Sequence, residues 1–189
     1  MGSPGHQTRR APAAGPTTAA RPPEQAVAAD RSRYARHLDR LAAAGAAGAA
    51  AEAVVVAEVL RDRDPVMAQS AVVTHLDRRA VRLRPGAAYQ DWARALRGAL
   101  VGHPFPARRL GEWTLLKAVE AGGEWSRTEL AAASDWCQRT AALSPAPDEA
   151  LALLAASGRT RRVRNDAARR LDRRATSRAG TIKGNEFSP

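Results

Sequence analysis

An all-α fold of about eight helices is what this sequence predicts, and three observations carry the expectation. Apolar residues recur at three- and four-residue steps through most of residues 31–176. Helix start and stop signals divide that stretch into short segments, among them Asp64-Pro65, Gly122-Gly123 and a capping box from Ser126 to Glu129. No window alternates β-branched with polar residues as a half-buried strand does. Amphipathic helices on short connections leave two architectures open, an irregular α-solenoid or a helical bundle.

Residues 1–30 hold five of the twelve prolines and almost no large apolar side chain. Burial cannot offset their ordering entropy, so a disordered arm is expected there. Tyr34, Leu38 and Leu41 begin the helical domain, and Gly45 ends their helix. Val55, Val56, Val59 and Leu60 follow, apolar on nearly every side. Asp64 as N-cap and Pro65 at the first helical position start a helix with Ala68, Val72, Leu76 and Leu83 on one stripe. Arg84-Pro85-Gly86 breaks it, and Tyr89, Trp92, Leu96 and Leu100 mark the next helix, closed by Gly102. His103-Pro104-Phe105-Pro106 is predicted to be extended, because a residue before proline is pushed out of the helical region. Leu110, Trp113, Leu116 and Val119 form a helix that stops at Gly122-Gly123. A single helix from Ser126 should then carry Leu130, Ala133, Trp136, Cys137 and Ala141. Pro145 and Pro147 precede a short helix with Leu151, Leu154 and Ala155, and Ser157-Gly158 separates it from a basic helix reaching residue 176. Residues 177–189, with two glycines and no periodicity, read as a flexible tail.

Charge is spread unevenly. The chain's net charge is +11, and residues 159–189 supply +7 of it, with ten basic residues against three acidic. A basic stripe confined to one terminal element asks for a structural partner or an anionic ligand. The low lysine content beside abundant arginine, alanine and glycine points to a high-GC bacterial source rather than to selection for guanidinium chemistry. One cysteine, Cys137, excludes a disulfide framework and a multi-cysteine zinc site, and suits a reducing cytoplasm. Arg9-Arg10 is followed by no apolar segment, so an export signal is not expected. Leu41 to Leu60 is apolar apart from Glu52 and Glu58. A spanning helix would carry both carboxylates into hydrocarbon, at about 2.5–3.5 kcal/mol each near its centre. Buried helices, with no membrane partner, are the expectation.

Two segments share a pattern. Asp64-Pro65-Val66-Met67, leading to Ala71 and Leu76, resembles the second helix of a HEAT repeat, whose usual form is D-P-x-V-R-x-x-A-x-x-A-L. Val163-Arg164-Asn165-Asp166-Ala167-Ala168-Arg169-Arg170-Leu171 is similar to the V-R-x-x-A-A-x-x-L part. The first copy has Ala68 where the arginine would stand, and the copies lie far apart, so the array would be irregular. What the resemblance implies is a HEAT-like stack of paired antiparallel helices whose curved surface binds protein or nucleic acid.

Few residues suggest chemistry. His6, His37, His75 and His103 are scattered, with none placed four residues from another His or Cys, so no metal site is expected. His75 beside Leu76 reads as a histidine bonded at the core edge, and Cys137 beside Trp136 as a packed thiol. Glu120, Glu124, Glu129 and Asp135 surround the Gly122-Gly123 turn, and two of them suit helix N-termini. Phosphate-cradling glycine motifs are absent. No catalytic residue or cofactor is therefore expected, and the protein is read as a non-enzyme.

Two contact surfaces remain. In the basic helix Val163, Ala167, Ala168, Leu171 and Ala175 fall on one arc, with Arg164 and Arg174 inside it. Arg159, Arg161, Arg162, Arg169, Arg170 and Arg173 fall opposite, interrupted by Asp166 and Asp172. Trp125 is either a staple against Leu130 or an exposed anchor for a partner. The expected function is an adaptor or regulator that binds another protein near Trp125 or along the arginine helix. The alternative is sequence-independent binding of DNA or RNA phosphates by the arginines, with no interleaved aromatic for base stacking.

Overall fold

Nine α-helices and no strand make up residues 23–184, the part of the chain that the computed structural model describes; side chains are described over residues 27–178. The helices are α1 (Pro23–Ala47), α2 (Ala49–Val59), α3 (Pro65–Arg82), α4 (Ala87–Ala99), α5 (Pro104–Ala121), α6 (Arg127–Ala132), α7 (Asp135–Leu143), α8 (Asp148–Ser157) and α9 (Arg161–Gly184). The apolar stripes read from the sequence form the core. Leu41, Val56, Leu76, Leu96, Leu130, Leu151 and Leu154 are fully buried, and Trp92 and Trp113 nearly so. The Asp64 signal works as expected, its Oδ1 accepting from the backbone N–H groups of Val66 and Met67.

The chain alternates between two layers. Odd-numbered helices stack in sequence order, α1 on α3, α3 on α5, α5 on α7 and α7 on α9. Even-numbered helices form the second layer, with α2 against α4 and α6 against α8. The layers are joined most closely at the two ends, where α1 packs on α2 and α8 on α9. Between α4 and α6 the second layer is interrupted, because those two helices are not packed together.

Several boundaries differ from the sequence expectation. α1 begins at Pro23, inside the expected arm, and α9 runs to Gly184, past residue 176. Extending a helix already nucleated by packing is cheap, and Ala26, Ala28 and Ala29 favour it strongly, so no burial is needed. The rest of the expected arm, residues 1–22, and the last five residues of the tail lie outside the described residues. The segment expected to be extended at 103–106 is helical from Pro104. Only His103 keeps the non-helical backbone that a following proline demands. Pro104 and Pro106 sit in the first turn, where amide hydrogens have no intrahelical acceptor, so nothing is lost by lacking them.

The single helix expected after Ser126 is two helices, α6 and α7, which raises the number from about eight to nine. Ser134 causes the break. Its hydroxyl caps α7 by accepting from Cys137 N–H, and its own N–H donates to Glu112 Oε1 on α5. Gln138, fully buried, closes the joint: its Nε2 donates to the carbonyls of Leu130 and Ala131, and its Oε1 accepts from Arg159 N–H.

Candidate functional site

Two polar clusters lie between packed helices, one joining the two layers at a fully buried carboxylate and one, partly exposed, within the odd-numbered layer. Glu52 on α2 has no exposed surface. Its Oε1 accepts from His75 Nε2 at 2.6 Å and from Trp92 Nε1 at 2.7 Å, and its Oε2 from Arg79 Nε at 3.3 Å. Arg79 also donates to the Gly45 carbonyl, so α1, α2, α3 and α4 meet at one carboxylate. Burial pushes the Glu52 carboxyl up, but the bonds from His75 and Trp92 and the charges of His75 and Arg79 outweigh it and hold the group below its ordinary 4.5. His75 thus sits where the sequence placed it, bonded at the core. The second cluster joins α3, α5 and α7. Asp77 accepts from Trp113 Nε1 at 2.7 Å and from Arg109, and the Arg109 guanidinium lies 3.6 Å from the centre of the Trp136 ring. Nothing in the spacing of Glu52 or Asp77 marked them as partners of tryptophans forty and thirty-six residues away.

Cys137 is fully buried, and burial with the nearby charge of Glu112 pushes its thiol up to about 12. At neutral pH it is protonated, a packed side chain rather than a nucleophile. Among the described residues no group of three His, Cys, Asp or Glu is placed to hold a metal ion. No helix among them is long and apolar enough to cross a membrane.

The interruption between α4 and α6 is an open cleft. α5 forms its floor, showing a stripe of small residues at helical spacing: Ala107, Gly111, Thr114, Ala118 and Ala121. A Cβ placed on Gly111 would meet nothing within 4 Å. The α6 half of the cleft, about 350 Å³, is walled by Trp125, Glu124 and Glu129. The α4 half, about 420 Å³, is walled by Tyr89, Arg94 and Arg97, and the halves meet at Arg97, Thr114 and Ala118. Among the described residues Arg97, Glu124 and Glu129 have no ion-pair partner, so opposite charges face each other unneutralised across the floor. Trp125 is half-buried, packed on the core while lining the cleft. Beside the Ala107 end of the floor, Val101 and Phe105 are exposed, at 79% and 51%. The sequence reading missed the small-residue stripe, whose spacing was legible, because only large apolar residues were followed along α5.

The arginines of α9 divide into two sets. Arg161, Arg162, Arg169 and Arg173 are exposed, as expected, and so is Arg159 just before the helix, where it pairs with Asp135. Asp166 offsets part of this face by pairing with Arg169 and, more loosely, Arg162. Arg170 is a correction. It turns inward and donates to the carbonyls of Ala142 and Ser144, capping the C-terminus of α7. Burial, then the charges of Arg174 and Arg173, push its guanidinium below the ordinary arginine value. Arg164 and Arg174 behave as their place in the apolar arc implied, Arg164 bonding the Gly158 carbonyl and Arg174 the Ala146 carbonyl and Asp148. Ala175, expected on that arc, is exposed. The chain matches no family model, no curated protein and no solved structure.

Proposed function

We propose that this protein is a non-enzymatic interaction module, an adaptor or regulator of the bacterial cytoplasm, and that the cleft between α4 and α6 receives a helix of another protein. The observation that carries the reading is the interrupted layer. α5 presents a smooth floor of Ala107, Gly111, Thr114, Ala118 and Ala121 where the pattern of the fold would put a helix. Small residues let a second backbone approach closely, and Trp125 offers the rigid apolar edge that dominates many interfaces. The walls add a preference. A partner helix with an acidic residue toward Arg97 and basic residues toward Glu124 and Glu129 would neutralise both walls. Alternation of helices between two layers supports the HEAT-like reading, as does the fact that both motif copies open helices of the same layer, α3 and α9. The test is co-purification of tagged protein from its native lysate. A discrete partner should be recovered with wild type and lost with both Gly111→Leu, which fills the cleft, and Trp125→Ala. Retention of that partner by both variants would remove the cleft from the account.

A second reading is favoured by the outer face of α9, where Arg161, Arg162, Arg169 and Arg173 are exposed along one helix. It is sequence-independent binding of DNA or RNA phosphates, which would weaken by orders of magnitude between about 50 and 200 mM salt.

A further inference from the structure

Midway along α9, four arginines between residues 170 and 178 gather on one face of the helix. Arg170, Arg173, Arg174 and Arg178 follow one another at steps of three, one and four residues, which keeps them on one side of the helix. Together they line an open groove of about 590 Å³. Two of the four are anchored in part-buried positions and a third is paired at the surface. Arg170 is held by the carbonyls of Ala142 and Ser144, Arg174 by the Ala146 carbonyl and Asp148 Oδ1, and Arg178 by Asp148 Oδ2 at 2.7 Å. The anchors of Arg170 are neutral, so its charge is positioned but not cancelled. Asp148 is the one carboxylate paired with the set among the described residues, and Arg173 pairs with none. Four guanidinium groups therefore face one carboxylate. By contrast, Arg162 and Arg169 nearer the start of the helix share Asp166.

We propose that Arg170, Arg173, Arg174 and Arg178 form a binding site for a ligand with adjacent phosphate groups. Guanidinium forks match phosphate oxygens in pairs, and holding the forks rigid before binding lowers the entropy lost when the anion arrives. A groove of this size accommodates more than one phosphate, and the uncompensated charge favours a polyanion over a single carboxylate. The site rests on the phosphate-binding reading of α9 but confines it to residues 170–178. The phosphates could belong to a nucleic-acid backbone or to a free oligophosphate, and the experiment separates these.

The full chain is titrated at about 50 mM salt with inorganic triphosphate by calorimetry and with a duplex DNA by fluorescence anisotropy. Among the described residues the Arg173 side chain makes no hydrogen bond or ion pair, its carbonyl alone accepting from the Ser177 hydroxyl, so Arg173→Glu should leave the fold intact, and circular dichroism checks this. The expected result is binding of triphosphate by wild type, weakened about tenfold or more by Arg173→Glu and left within about threefold by the double variant Arg161→Glu/Arg162→Glu. If duplex DNA binds too, and Arg173→Glu weakens it equally, the natural ligand is a nucleic-acid backbone. If triphosphate alone binds, the site stands and the nucleic-acid reading falls. Failure of triphosphate to bind at millimolar concentration, or unchanged binding by Arg173→Glu, overturns the site. Duplex binding that then depends on Arg161 and Arg162 would leave only the broader reading.

Discussion

A carboxylate with no exposed surface has to be held by donors, and Glu52 has them from three side chains on two other helices. Removing one member of such a buried set leaves the others desolvated and unpaired, so Glu52→Ala should cost about 3–5 kcal/mol in urea denaturation. The pH dependence follows from the lowered carboxyl. Its stabilisation is fully present above the ordinary 4.5 and is lost as the pH falls through the depressed folded value. Wild type should therefore lose urea resistance progressively as the pH falls below about 4.5, and Glu52→Gln should show a shallower slope there. A slope unchanged in the variant would mean that another carboxylate governs acid unfolding. The sequence showed Glu52 only as a charge too costly for a membrane span. Its partners could not be read, because His75, Arg79 and Trp92 meet it through tertiary packing that no local spacing encodes.

Where the elements were legible, the signals were chemical rather than statistical. Asp64-Pro65, Ser126 and the stripes of α3, α4 and α5 behave as their residue types require. Misreadings arose where two local rules competed. At Pro104-Phe105-Pro106 the proline rule for a preceding residue lost to the freedom of a first helical turn. At Ser134 a capping hydroxyl, held by Glu112 on another helix, interrupted a stripe that looked continuous. Gly158 was legible as a separator but its constraint was not. A Cβ there would lie 2.6 Å from the Leu154 carbonyl oxygen and 2.8 Å from Val163 Cγ1, so α8 and α9 approach only because the side chain is absent. Gly158→Ala should destabilise by about 1–3 kcal/mol, lowering Tm by roughly 2–4 °C for each kcal/mol. Gly111 is the counter-example, a helical glycine facing open space. Gly111→Ala should raise stability by about 0.5–1 kcal/mol in the same thermal melt. A glycine kept where alanine would be more stable suits a floor against which another backbone lies.

At the scale of the whole molecule, two stacked layers are complete at their ends and open in the middle of one, and the excess charge sits on the last helix of the other. The all-helical class and the terminal position of the charge were readable from periodicity and composition. The opening was not, because it arises where α4 and α6 fail to pack closely, and missing packing leaves no trace in either helix. It separates the two candidate surfaces, so a protein partner in the cleft and a phosphate ligand on α9 could be tested, and could fail, independently. The most direct measurement for the cleft is site-specific photo-cross-linking in the native host, with a photoreactive residue at position 118 on the α5 floor and a control at the exposed position 152 on α8. A discrete covalent adduct with one protein from position 118, absent from position 152 and abolished by Trp125→Ala, is the predicted result. No adduct from position 118, or the same adduct from both positions, would contradict it.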